Sequence, residues 1–220
     1  MKKIALVMTG LGIIAGSIFG GRELCREIHV RNELKKAEVV VETIPERRYI
    51  FSFDTTHVLS PSLLTTVVVD FNDDAKKFIL KATMEYLKHN PPPQEYNSEF
   101  LQKAVFWYVH NTLADSTYIY CTPLLGGYDY RDFSSSRDTL WLNEAMRGER
   151  KFTCITLSCL WAVIGNSNVV SISCLPGSTN PPPEVHILAL VNDSTAIDPD
   201  NFSKMTLTKS KYLKAKKEIK

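Results

Sequence analysis

The chain has 220 residues, 44% hydrophobic and 23% charged, a balance that excludes both a disordered chain and a multispan membrane protein. Ten glycines and eleven prolines without a period exclude collagen, and no repeat of solenoid length is present. The formal charge of +2 is unevenly spread, because residues 204–220 hold seven lysines against the single Glu218 and leave residues 22–203 net acidic. The body has no basic patch with interleaved aromatics, which argues against nucleic acid as a partner. The lysine-rich end reads as a solvated tail.

The first twenty residues differ from the rest. After Met1-Lys2-Lys3 come seventeen uncharged residues, Ile4–Gly20, closed by Arg22 and Glu23. That run is long for a signal-peptide core and short for a spanning helix, which needs about 20 apolar residues. The glycines at 10, 12, 16 and 20 weaken a helix in water but are tolerated in a bilayer. We read residues 1–21 as a membrane anchor or signal segment, with membrane contact through residues 4–20. The protein is then membrane-associated and single-pass, or secreted if the segment is cleaved. Sidedness stays open, since Lys2 and Lys3 on one flank face Arg22, Arg26, Arg31, Lys35 and Lys36 on the other.

The remaining chain predicts mixed helix and strand. Residues 22–45 form a juxtamembrane linker, with a charged helix over Arg22–Lys36 and a strand-like Glu38–Thr43. Residues 46–97 form an accessory β/α region. Within it, Tyr49–Phe53 and Leu63–Phe71 are β-branched and aromatic and predict strands. Asp73–Lys88 has apolar residues at 75, 78, 79, 82 and 86, the period of a helix, and Asn90-Pro-Pro-Pro93 stops it. Residues 98–203 form a core that begins with a helix over Glu99–Leu113, capped by Ser98. A loop follows over Asp115–Ser136, then a short helix over Arg137–Met146 ending at Gly148. Phe152–Ile164 is apolar nearly all round and ends at Gly165, as a buried helix does. Strands follow at Val169–Leu175 and Val185–Val191, with a short extended piece at Ser194–Ile197. Helices before strands predict an α+β fold.

Three positions carry possible chemistry. Cys154, behind Thr153, opens the buried helix, where the positive end of the helix dipole favours thiolate, and Arg147, Arg150 and Lys151 lie just upstream. His186 lies in the strand Glu184–Val191, and Asp198 stands in Ile197-Asp198-Pro199 where the extended piece stops. A cysteine nucleophile needs an imidazole to take its proton, and that imidazole needs a carboxylate to fix its tautomer. Two adjacent strands can present His and Asp together to a helix start. The five cysteines (25, 121, 154, 159 and 174) show no CxxC and match no zinc spacing, so no metal and no cofactor is expected.

The ordered set resembles the core of the transglutaminase-like superfamily of papain-type cysteine enzymes. The residues that carry the resemblance are Asp138-Thr139-Leu140, Arg147-Gly148, the helix from Cys154 to Gly165, Val169–Ser173, His186 and Ile197-Asp198-Pro199. It covers roughly residues 98–202. The sequence departs from the family in having Phe152 two places before the cysteine, where glycine is usual. It also has Leu188 two places after the histidine, where an aromatic is common, and Asp200 after Asp-Pro, where threonine is frequent.

The resemblance implies a papain/transglutaminase-like core, its buried helix led by the cysteine and packed on an antiparallel sheet. Cys154 would be the nucleophile, His186 the base and later acid, and Asp198 the orienting carboxylate. Trp141, Tyr120 and Gln102 are candidates to donate to the oxyanion. The implied activity is a hydrolase acting on peptide or carboxamide bonds, with a protein or peptide as substrate. Two other readings compete: an inactive binding or assembly module on the same fold, and a disulfide-stabilised domain with Cys159 and Cys174 as bridge partners.

Overall fold

In the computed structural model, the backbone is described for residues 24–53, 66–113, 139–149, 152, 154–174, 184–199, 201–207 and 212–220. Residues 1–21, expected to be an anchor or signal segment, lie outside these residues, as do Tyr120, Cys121 and the loop expected over Asp115–Ser136. No helix among the described residues is long and apolar enough to cross a membrane.

The first helix, α1, covers residues 24–42, so the strand expected over Glu38–Thr43 is helix for most of its length. The three consecutive valines at 39–41 favour a strand by propensity. Packing overrides that preference: Val30, Ala37 and Val41 are fully or nearly fully buried, at a spacing that makes one helical stripe. Polar contacts fasten α1 to its neighbours. Lys76 bridges Glu42 and Glu46, each at 2.7 Å. The Tyr96 hydroxyl donates to Glu33 at 2.5 Å and, with Lys36, holds that carboxyl below its ordinary range.

β1 (Arg47–Ser52) and β2 (Thr66–Phe71) are the two strands expected there, and they pair antiparallel with Tyr49 opposite Val69. α2 (Asp73–His89) is capped by the Asn72 side chain, which accepts from the Asp74 and Ala75 N–H groups. α3 (Ser98–Asn111) is capped by Asn97, one residue earlier than the sequence predicts. The helix expected over Arg137–Met146 divides. Its first part is strand β3 (Thr139–Trp141), parallel to β2, and only Leu142–Met146 is helical (α4). Asn143 explains the abrupt change of direction. Its side chain accepts from the Asp70 N–H at 2.9 Å and donates to the Asp70 carbonyl at 2.8 Å, taking over the ladder of β2 where β3 leaves it.

α5 (Cys154–Ile164) then crosses the interior, with every residue from Thr156 to Ile164 buried. It packs on a five-stranded antiparallel sheet of order β7-β6-β5-β4-β8. This sheet contains β4 (Val169–Cys174), β5 (Glu184–Asn192), β6 (Thr195–Ile197), β7 (Lys204–Thr206) and β8 (Tyr212–Lys214). The other sheet has four strands, β3-β2-β1-β9, with β9 at Lys216–Ile219. The architecture is α+β. A single apolar cluster runs from Val30 in α1 through α2, α3 and α5 to Ala215, so residues 46–97 share the core of residues 98–203.

The lysine-rich end is not a solvated tail. It supplies β7, β8 and β9, with Ile219 paired to Tyr49 and Lys214 to Val170, so the last nine residues tie the two sheets together. Three of its seven lysines are ion-paired: Lys204 with Glu99, Lys214 with Asp193 and Lys216 with Glu218. Lys217 donates to the Ser167 carbonyl at 2.6 Å over the rings of Tyr49 and Phe51, and its burial lowers the ammonium pKa. We therefore expect truncation before Tyr212 to abolish the cooperative thermal transition seen by circular dichroism. A truncated chain that melts like the full one would contradict this topology.

Candidate active site

The site is built on the start of α5. Phe152 is fully buried and stacks on Phe78 of α2, with centroids 5.5 Å apart, so an aromatic anchor stands where the resembling family has glycine. The chain therefore enters α5 from a point held on α2, and Cys154 is the first helical residue. No charged side chain lies in that first turn. Arg147 forks onto Glu149, at 2.6 and 2.9 Å, so its charge is compensated locally. The positive end of the α5 dipole falls at position 154.

Ser158 fixes where that helix start lies. With Thr156 it is one of two buried hydroxyl residues in a mainly apolar helix, and its Oγ donates to the Ile187 carbonyl of β5 at 2.9 Å. The residues after α5 lead at once into β4, whose Val169 pairs with Ala189. α5 thus runs along β5 with its start towards His186. Cys154 precedes Ser158 by one turn on the same helix face, a rise of about 6 Å, or roughly two strand residues. Cys154 thus stands one helical turn before the Ser158–Ile187 contact.

Asp198 arrives by β6. Ile197 pairs with Ala189 of β5, and Asp198 follows it, partly buried, at the position facing Leu188 in the same register. The turn behind it is closed by two backbone bonds, Asp198 N–H to the Ser203 carbonyl and Phe202 N–H to the Asp198 carbonyl, both 2.9 Å. Phe202 takes a positive φ of 57° there. Its ring packs edge-on to Trp161 of α5 at 5.3 Å and beside Phe106 of α3 at 5.5 Å. His110, which carries no recognisable partner in the sequence, adds a further tie. Its Nε2 lies 3.1 Å from the Pro199 carbonyl, and because a carbonyl only accepts, Nε2 carries the proton. The Asp198-Pro199 turn is therefore fastened to both α3 and α5. The one sequence signal for His110 was Phe106 four residues earlier, whose ring lies 4.2 Å from the imidazole.

The register of the five-stranded sheet sets a constraint on the three positions. Ile187, Ala189, Val169 and Ile197 belong to the main core with α5, whereas Leu188, Leu190, Val170 and Ala196 form a smaller cluster on the alternate positions. His186 pairs with Ile172 and has the parity of Leu188, and Asp198 has the parity of Ala196. The pleat thus groups His186 with Asp198 and sets both out of phase with the strand positions beneath α5.

The oxyanion candidates fall in separate places. Gln102 is buried and its amide donates to the Trp161 carbonyl at 2.8 Å, in the last turns of α5 and so away from Cys154. Trp141 lies in β3 of the other sheet with the Arg48 guanidinium 5.2 Å above its ring. Tyr120 lies outside the described residues. Among the described residues no three His, Cys, Asp or Glu side chains are grouped to hold a metal. Cys159 is a free thiol, fully buried, so it does not bridge to Cys174, and burial pushes its pKa well up. Cys25 is free and exposed. No family model, no curated protein and no solved structure matches this chain.

These environments predict an ordered reactivity. With the folded protein at neutral pH, iodoacetamide should modify Cys25 readily and leave Cys159 untouched until denaturant is added. Peptide mass spectrometry checks this, and early modification of Cys159 in folded protein would contradict its burial.

Proposed function

We propose that the protein is a membrane-associated, transglutaminase-like cysteine hydrolase acting on peptide or carboxamide bonds through Cys154, His186 and Asp198. The observation that carries this reading is the Ser158–Ile187 hydrogen bond, which holds a helix led by cysteine against the strand that carries His186. β6 brings a carboxylate to the same strand pair.

In this reading the Cys154 thiolate, favoured by the helix dipole, attacks the carbonyl carbon and its electrons pass to the carbonyl oxygen. The Cys154 backbone N–H, unpaired within the helix, is a natural donor to that oxyanion. A second donor comes from Trp141 or Tyr120, because the Gln102 amide is spent on Trp161. Collapse of the tetrahedral species expels the amine, protonated by His186, and leaves a thioester. His186 then takes a proton from water, which hydrolyses the thioester and frees Cys154. Asp198, on a turn held by His110 and Phe202, keeps the imidazole in the tautomer this cycle needs. Protein or peptide would be the substrate, and no cofactor enters.

The strand parity of His186 favours a second reading, in which the fold is kept as a binding or assembly module without catalysis. One experiment separates the two. Cys154 alkylation is followed against pH in a Cys25→Ser background, with and without His186→Ala. The enzyme reading predicts a Cys154 thiol that titrates below the free value of about 8.5 and returns towards it when the imidazole is removed. The module reading predicts the same ordinary profile in both proteins.

A further inference from the structure

The outward face of α1 presents apolar side chains to solvent. Leu24 is 59% exposed, Ile28 50% and Val39 68%. At about 100° per residue these three fall within about 60° of one another around the helix. The opposite face is the buried one, carrying Val30, Ala37 and Val41. Between the exposed apolar residues, on the same outward side, lie Arg31 and Lys35, both exposed. A helix that buries one face in its own core and leaves a second apolar stripe uncovered has a partner for that stripe.

The chain that enters α1 points to what the partner is. The uncharged run Ile4–Gly20 ends four residues before Leu24, and those steps span at most about 14 Å when fully extended. With the run in a bilayer, the first turns of α1 sit at the lipid headgroups. A parallel second copy fits the stripe poorly, because in-register pairing sets Arg31 and Lys35 against their own copies. Arg26, His29, Lys88 and His89, together with Glu33, line a hollow of about 280 Å³ between α1 and the end of α2, on the side of α1 turned away from the stripe, where Arg26 donates to the Lys88 carbonyl.

We propose that the outward face of α1 lies on the surface of an anionic bilayer. Leu24, Ile28 and Val39 enter the interfacial layer, and Arg31 and Lys35 reach the headgroup phosphates. The proposal rests on residues 4–20 being a membrane anchor and is independent of any catalysis. It makes α1 a platform that holds the domain at a fixed orientation to the membrane.

The test uses the full chain in vesicles of phosphatidylcholine and phosphatidylglycerol with brominated acyl chains. Tryptophan is introduced by Ile28→Trp, by Val39→Trp, or at the exposed turn after β5 by Asp193→Trp. Native tryptophans give the baseline, circular dichroism checks folding, and flotation checks attachment. We expect the emission added at 28 and 39 to be largely quenched, that at 193 to be unaffected, and Arg31→Glu with Lys35→Glu to relieve the quenching. Chains that float but show no more quenching at 28 and 39 than at 193 overturn the proposal, as do chains crosslinked through this face to a second copy. Failure to float overturns the anchor itself, and with it the proposal.

Discussion

Burial of α5 on every side is the constraint from which the rest of the arrangement follows. A helix buried over Thr156–Ile164 must be enclosed by other elements, and here α3, α4, β2 of the four-stranded sheet and β4 and β5 of the five-stranded sheet enclose it. Apolar truncation at a fully buried position such as Leu157 or Leu160 costs about 2–5 kcal/mol, a large part of a typical domain's stability. The polar contacts of the helix are few and therefore directional. Gln102 holds the carbonyl of Trp161 near one end, and Ser158 holds β5 near the other. These two bonds fix how far the helix slides along the sheet, and hence where its first residue stands.

Much of this was legible in the sequence because periodicity and burial agree there. α2, α3 and α5 and strands β1, β4 and β5 fall close to where their apolar spacing and stop residues place them, and the order of helices before strands yields the α+β class. Local and tertiary signals conflict elsewhere. Val39–Val41 favour a strand, yet Ala37 and Val41 share a helical stripe buried in the main core. Thr139–Trp141 pair with β2, and α4 begins only after them, where the Asn143 amide takes up the ladder at Asp70. The terminal lysines conceal three short strands, because their side chains meet Glu99, Asp193 and Ser167 from distant parts of the chain. Such pairings are long-range and leave no local mark.

The candidate site shows the same division. The sequence orders Cys154, His186 and Asp198 on a helix start, a strand and a turn, and in the fold α5 packs against β5 while β6 pairs with it. It gave no sign of the supports. Phe152 anchors the entry to α5 on Phe78, and His110 with Phe202 anchors the Asp198 turn. Nor does residue order reveal strand parity, which depends on a register set by β4 and β6 together. Parity is where the enzyme reading meets its strongest opposition, since a productive imidazole must leave the regular pleat at the first residues of β5.

The imidazole of His186 reports most directly on whether the three groups act as one. Its titration, followed by heteronuclear magnetic resonance, is compared between the native chain and Cys154→Ala. A thiolate beside the ring stabilises imidazolium, so the account predicts that the native ring titrates above the ordinary histidine range of about 6.5 and falls back when the sulfur is removed. Superimposable curves for the two proteins would contradict it.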